Sequence, residues 1–135
     1  MMTTDDTNNI LFSLLNGSPV HVAMTGGVYT GEDRPDDSTK EDIVVNTITV
    51  TQDCHPQEGV SNVNIYVPDL KKNIGGNQQL KADTKRLDEL TRLAIDVLRN
   101  ARIEGVGLIV RSQARLSEES IKQHFTNIRI EWVLE

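Results

Sequence analysis

Cysteine occurs once in these 135 residues, aromatic residues make up 4%, and no apolar run approaches the length of a membrane span. Each scarcity excludes something. A lone Cys54 cannot close an internal disulfide, so the fold has to hold without one, as suits a reducing compartment. With one Trp, two Tyr and two Phe, the core must rest on Leu, Ile and Val, with Trp132 as an isolated large piece. A bilayer-crossing helix needs about 20 apolar residues in succession. The polar opening MMTTDDTNN lacks the basic and apolar regions of a signal peptide. The expectation is a chain of cytoplasmic origin, neither inserted in a membrane nor exported by those routes. Excess positive charge is missing too. Fourteen Lys and Arg against 20 Asp and Glu leave a formal charge of −6, so a surface that grips phosphate backbones broadly is not expected, nor is direct nucleic-acid binding. Internal repeats and low-complexity tracts are absent.

What is present speaks first to architecture. From Asp42 to Pro68 two strand-like runs flank a polar turn over 52–58. In the first, Val44, Ile48 and Val50 share one face with Asn46. In the second, Val63, Ile65 and Val67 oppose Asn62, Asn64 and Tyr66, a period of two that marks half-buried strands. Before them, Thr7 or Asn8 is placed to cap a short helix carrying Ile10, Leu11, Leu14 and Leu15, ended by Asn16 and Gly17. Residues 19–24 alternate weakly and read as a short strand. The stretch from Tyr29 to Asp42 reads as a long charged loop, and that from Lys71 to Lys81, with Gly75, Gly76 and several amides, as a mobile surface excursion. Asp83 or Thr84 starts the strongest helix, with Leu87, Leu90, Ala94, Val97, Leu98 and Ala101 in one stripe. Gly105 and Gly107 punctuate its end. Residues 106–116 read as a strand with Leu108, Val110 and Ala114 on one face. Ser117 begins one or two helical turns up to His124, and Ile128, Ile130, Trp132 and Leu134 form a closing strand with Arg129 and Glu131 outward. Strands grouped on either side of one long helix predict a single domain over 1–135. Its class is α+β and two-layered, an antiparallel or mixed sheet of four to five strands with helices packed on one face.

Residues able to carry chemistry do not converge. Glu32, Asp33, Asp36, Asp37, Glu41 and Asp42 crowd one loop, but their spacing matches no EF-hand, and Arg34 and Lys40 among them would repel a cation. A solvated or partner-contacting loop fits better. Ser38 and Glu41 have capping-box spacing with no helical run after them, so they shape a turn. Cys54 and His55 are adjacent, and adjacent residues on a strand or at its end point in opposite directions, so they read as turn residues rather than as a pair sharing a proton. His21, His55 and His124 offer no zinc-ligand spacing. The pairs Gly26-Gly27 and Gly75-Gly76 lack the helix and basic residue of a phosphate loop. No cofactor and no metal are expected. The polar strand face of Asn62, Asn64 and Tyr66, placed beside Thr47, Thr49 and Thr51, suits either solvent or another subunit.

The segment Arg34, Pro35, Ser38, Glu41, Asp42, Ile43, Val44, Val45, Asn46, the strand Asn62, Val63, Asn64, Ile65, Tyr66 and the closing Asn127, Ile128, Arg129, Ile130 resemble the tail-completion or tail-terminator proteins of long-tailed bacteriophages. The likeness is greatest to prophage-type members from Bacteroides relatives. That resemblance implies a non-enzymatic structural subunit that assembles as a homo-oligomeric ring at the head-tail junction. It would close the tail tube and meet other tail and neck proteins, residing in the virion after assembly in host cytoplasm. The expected subunit interface comprises Glu32, Asp33, Arg34, Asp36, Asp37, Lys40, Asn62, Asn64, Tyr66 and Arg129. A non-enzymatic interaction module of a mobile element is the alternative reading.

Overall fold

Thr3 opens the first helix, α1 (Thr4–Leu15), through a reciprocal capping box in which its hydroxyl accepts from the Asp6 N–H and the Asp6 carboxylate accepts from its own N–H. The computed structural model describes residues 1–135. The start expected at Thr7 or Asn8 is therefore corrected. Asp6 completes the box a turn earlier, and Thr7 and Asn8 become buried polar residues on the helix's inner side with Leu11 and Leu15. The strand expected over 19–24 is also replaced, by a short helix α2 (Pro19–Ala23). Pro19 occupies its first turn, where a fixed φ fits and no N–H is needed, and so short a segment leaves alternation uninformative.

A short strand β1 (Val28–Thr30), not anticipated within the charged loop's start, runs parallel to β2 (Asp42–Val50), which pairs antiparallel with β3 (Gln57–Pro68). The phase of β2 differs from expectation. Ile43, Val45 and Thr47 face the core, whereas Val44, Asn46 and Ile48 face outward. Both parities of DIVVNTITV carry apolar residues, so alternation alone does not choose between them. A bulge between Thr47 and Thr49 then resets the register and brings Val50 opposite buried Gly59. Thr47 is thus not part of the outer polar face. Its hydroxyl lies 2.7 Å from those of Thr7 and Ser61 and 2.8 Å from Asn8 Oδ1, inside the core.

The segment read as a mobile excursion is a regular hairpin, β4 (Leu70–Ile74) and β5 (Asn77–Lys81), closed by Gly75 and Gly76 at φ 61° and 85°. Two successive positive φ values at the corner are what a tight two-residue turn requires, and glycine adopts them without strain. Asp83 caps the long helix α3 (Thr84–Arg99), whose Leu87, Leu90, Ala94 and Leu98 are fully or almost fully buried. Strand β6 (Val106–Glu118) and, after a single 3-10 turn over Glu119–Ile121, strand β7 (Gln123–Leu134) complete the chain. The helical turns expected from Ser117 shrink to that one turn, because β6 continues through Glu118. A second bulge, between Val110 and Ser112, leaves Val106, Leu108 and Val110 toward the core but turns Ala114 outward, opposite Asn127.

The main sheet has the order β1-β2-β3-β7-β6, mixed through its one parallel pair, and the hairpin forms a separate two-stranded sheet. Helices α1 and α3 cover one face of the main sheet, giving the expected two-layer α+β fold. Val63, Ile65, Ile128, Ile130 and Trp132 from β3 and β7 meet Leu11, Leu15, Leu87, Leu90 and Leu98 in one continuous cluster. The Trp132 indole donates to the Ser61 hydroxyl at 2.7 Å, which satisfies its N–H inside the core. No helix is long and apolar enough to cross a membrane.

Candidate interaction surface

No helix covers the second face of the main sheet, and alternation fixes its composition. Every outward position of β3 and β7 over Asn62–Tyr66 and Phe125–Glu131 lies opposite a like-facing neighbour: Asn62 beside Arg129, Asn64 beside Asn127, Tyr66 beside Phe125. The Asn127 amide donates to Asn62 Oδ1 at 3.0 Å and Asn64 Oδ1 at 2.8 Å, so one carboxamide bridges two on the next strand. Tyr66 and Phe125 stack with ring centroids 4.8 Å apart. The Nε of Arg129 is buried without a hydrogen-bond partner. Toward the far end, Arg111 pairs with Glu131 at 2.7 Å and holds that carboxyl below its usual range.

At the near end the charged loop folds back over this face and is tied down at both its base and its middle. Arg34 donates to Asp42 Oδ2 at 2.8 Å and to Gln123 Oε1 at 2.8 Å, and its guanidinium lies 4.3 Å above the Tyr66 ring. Burial pushes the Tyr66 phenol up, with Arg34 opposing the shift and Glu118 adding to it. Ser38 donates to the same Asp42 carboxylate, whose other oxygen accepts from Gly27 N–H at 2.9 Å. Gly26 has to be glycine, since a Cβ there would fall 1.9 Å from Asp42 Oδ1. At the loop's end Glu41 receives two bonds from Arg86 of α3, at 2.6 and 2.9 Å, and Arg86 also donates to the Ala23 carbonyl. Hydrogen bonding to Glu41 raises the Arg86 pKa further above its ordinary value. These ties leave Glu32, Asp33, Asp36, Asp37 and Lys40 at the surface.

On the helix side of the same end, the β4–β5 hairpin projects from Pro68 and exposes Leu70, Ile74 and Leu80. Between it and the β6–β7 turn opens a cleft of about 770 Å³ lined by Lys72, Lys81, Lys122, Ile74, Leu80 and Glu119, among others. Asp69 and His124 join at its floor through a 2.6 Å contact, and Asp69 N–H donates to the Lys122 carbonyl at 3.1 Å, which clamps the hairpin's base to β7. Ser117 lies across the strand pair from His124 and hydrogen-bonds to neither member of the Asp69–His124 pair. Lys122 sits at φ 55°, ψ 51°, a left-handed conformation that costs a non-glycine residue about 1 kcal/mol.

Of the residues expected at an interface, Asn62, Asn64, Tyr66 and Arg129 do share the outer face. The acids of the loop and Lys40 are free at the surface, while Arg34 is engaged within its own chain. Sequence reasoning missed Gln123 and Asp42 as the loop's anchors, because the 89-residue separation of Arg34 and Gln123 leaves no local trace. It also missed the hairpin, although Gly-Gly between LKKNI and NQQLK is a hairpin signal. Cys54 and His55 lie exposed on the β2–β3 turn, and no group of three or more His, Cys, Asp or Glu side chains is arranged to hold a metal ion. No protein-family model matches the chain, and no curated protein matches its sequence.

Proposed function

We propose that this chain is a non-enzymatic assembly subunit, acting in an oligomeric ring at the head-tail junction of a long-tailed phage. The phage setting rests on the sequence resemblance. The subunit role is supported by one observation above all: the hairpin carries Leu70, Ile74 and Leu80 at the surface, 38 to 45% exposed, on strands with no layer of their own to cover them. A two-stranded sheet is marginal alone in water, and apolar side chains on it gain when a partner buries them. The uncovered sheet face, with its carboxamide ladder, adds a second surface, polar where the hairpin is apolar, that suits contact with other subunits.

Particles from a phage that encodes this chain provide the test. Gold-labelled antibody should decorate the head-proximal end of the tail, and deletion of the gene should leave filled heads and free tails unjoined. Normal particles from the deletion strain would refute the reading.

A further inference from the structure

We propose that the lysine-lined cleft beneath the β4–β5 hairpin receives the acidic loop of a second copy of this chain, which names the contact underlying the proposed ring and rests on that reading. Three lysines, Lys72, Lys81 and Lys122, converge on the cleft, where Glu119 is the one acid not already paired, since Asp69 is held by His124. The hairpin from Leu70 to Lys81 has three lysines and no acid, in a chain whose net charge is −6. The loop is its complement: Glu32, Asp33, Asp36 and Asp37 are exposed, while Arg34, one of the loop's two cations, is drawn inward onto Asp42 and Tyr66. With Arg34 turned inward, Lys40 is the one exposed cation beside these four acids, so the loop's surface is acidic.

Within one chain the two surfaces do not meet, for no ion pair joins any loop acid to a cleft lysine. They lie at one end of the sheet on opposite sides, the loop against the outer face and the cleft on the helix side. A loop-to-cleft contact in which each copy gives one surface and takes the other from a different neighbour is heterologous, and such contacts repeat into a ring where the rotation closes and into an open filament where it does not. Pro35 at the loop supplies an apolar surface for Ile74 and Leu80 at the cleft wall. Charge pairs across such a contact set orientation and register as well as attraction. Lys122, kept in a backbone conformation that favours glycine, has a reason to remain lysine if its ammonium faces the loop.

Charge exchange tests the pairing. One variant reverses the cleft (Lys72→Glu, Lys81→Glu, Lys122→Glu), the other the loop (Glu32→Lys, Asp33→Lys, Asp36→Lys, Asp37→Lys), and circular dichroism checks that both fold. Sedimentation over a concentration series at about 50 mM salt, where exposed charges are weakly screened, reads self-association. Wild type should associate, and each variant alone should show a dissociation constant raised at least about tenfold. Mixing the two variants should restore assembly, because every junction in an alternating array then pairs opposite charges. Should Lys122→Glu unfold the chain, the cleft variant without it carries the same expectation. Association unaffected by either reversal would overturn the pairing while leaving a ring built from other contacts in place. Monomeric wild type at all concentrations would overturn the pairing and the ring together. Wild type that binds duplex DNA, lost on cleft reversal with self-association unchanged, would assign the cleft to nucleic acid and overturn the pairing.

Discussion

Arg34 and Asp42, eight residues apart at the middle and end of one loop, form a 2.8 Å ion pair with side chains only 11% and 1% exposed. The pair lies where α1 and α3 do not reach, on the uncovered face of the sheet. It converts a charged loop into a fixed part of that face.

Removing one member of such a buried pair leaves the other charge without its partner, at a cost of about 3 to 5 kcal/mol. Arg34→Ala should therefore lower the urea midpoint strongly and raise hydrogen exchange at the amides of residues 31–41. A variant with wild-type stability and a still-protected loop would show that the ion pair is not its anchor.

Leu90 of α3 is fully buried, so Leu90→Ala should destabilise by about 2 to 5 kcal/mol in equilibrium unfolding. A loss under about 1 kcal/mol, as at surface sites, contradicts its place in the core.

Thr47→Val keeps the shape of the β2 side chain and removes the hydroxyl that meets Thr7, Asn8 and Ser61. Leaving those buried groups short of a partner should cost about 1 to 3 kcal/mol. Thermal unfolding unchanged from wild type would mean that the remaining three groups satisfy one another.

Tyr66 links stability to alkaline pH. Its folded pKa is raised above 10.0 by burial, so above pH 10.0 the unfolded chain releases this proton while the folded chain retains it. The unfolded state then binds fewer protons, and stability falls as pH rises through that window. Denaturant unfolding at about pH 9 and about pH 11 should show a smaller decline for Tyr66→Phe than for wild type. Equal declines would contradict the assignment.

Replacing residues 70–81 by a short Gly-Ser connector should leave global stability within about 0.5 kcal/mol, since the hairpin contributes no buried side chain to the core. Loss of the fold would make the hairpin a structural element rather than a docking arm. The same variant should fail to self-associate if the hairpin is where partners dock.

The sheet and the long helix were legible because their signals are local and periodic. In β3 and β7 one parity is apolar and the other polar throughout the central residues, and α3 begins at an acidic cap and keeps its stripe for four turns. β2 was legible as a strand but not in phase, since Val44 and Val45 are equally apolar and Thr47 enters the core only because three other polar groups await it. The extent of the outer surface was partly visible in Asn62, Asn64, Tyr66 and Arg129. Its anchors were not, because Gln123 and Tyr66 lie far from Arg34 in sequence, on β7 and β3, and meet it only in the folded sheet.

The bulge between Val110 and Ser112 divides β6 into halves subject to different constraints. Up to Val110 the strand is half-buried at alternate positions, and changes there are filtered by whether the domain folds. From Arg111 to Glu118 every side chain is exposed while the backbone still pairs with β7. Variation in that second half is screened by strand propensity and by contacts outside the chain, not by packing. A lineage can therefore rewrite RSQARLSE to follow a changing neighbour without disturbing the core a few residues away.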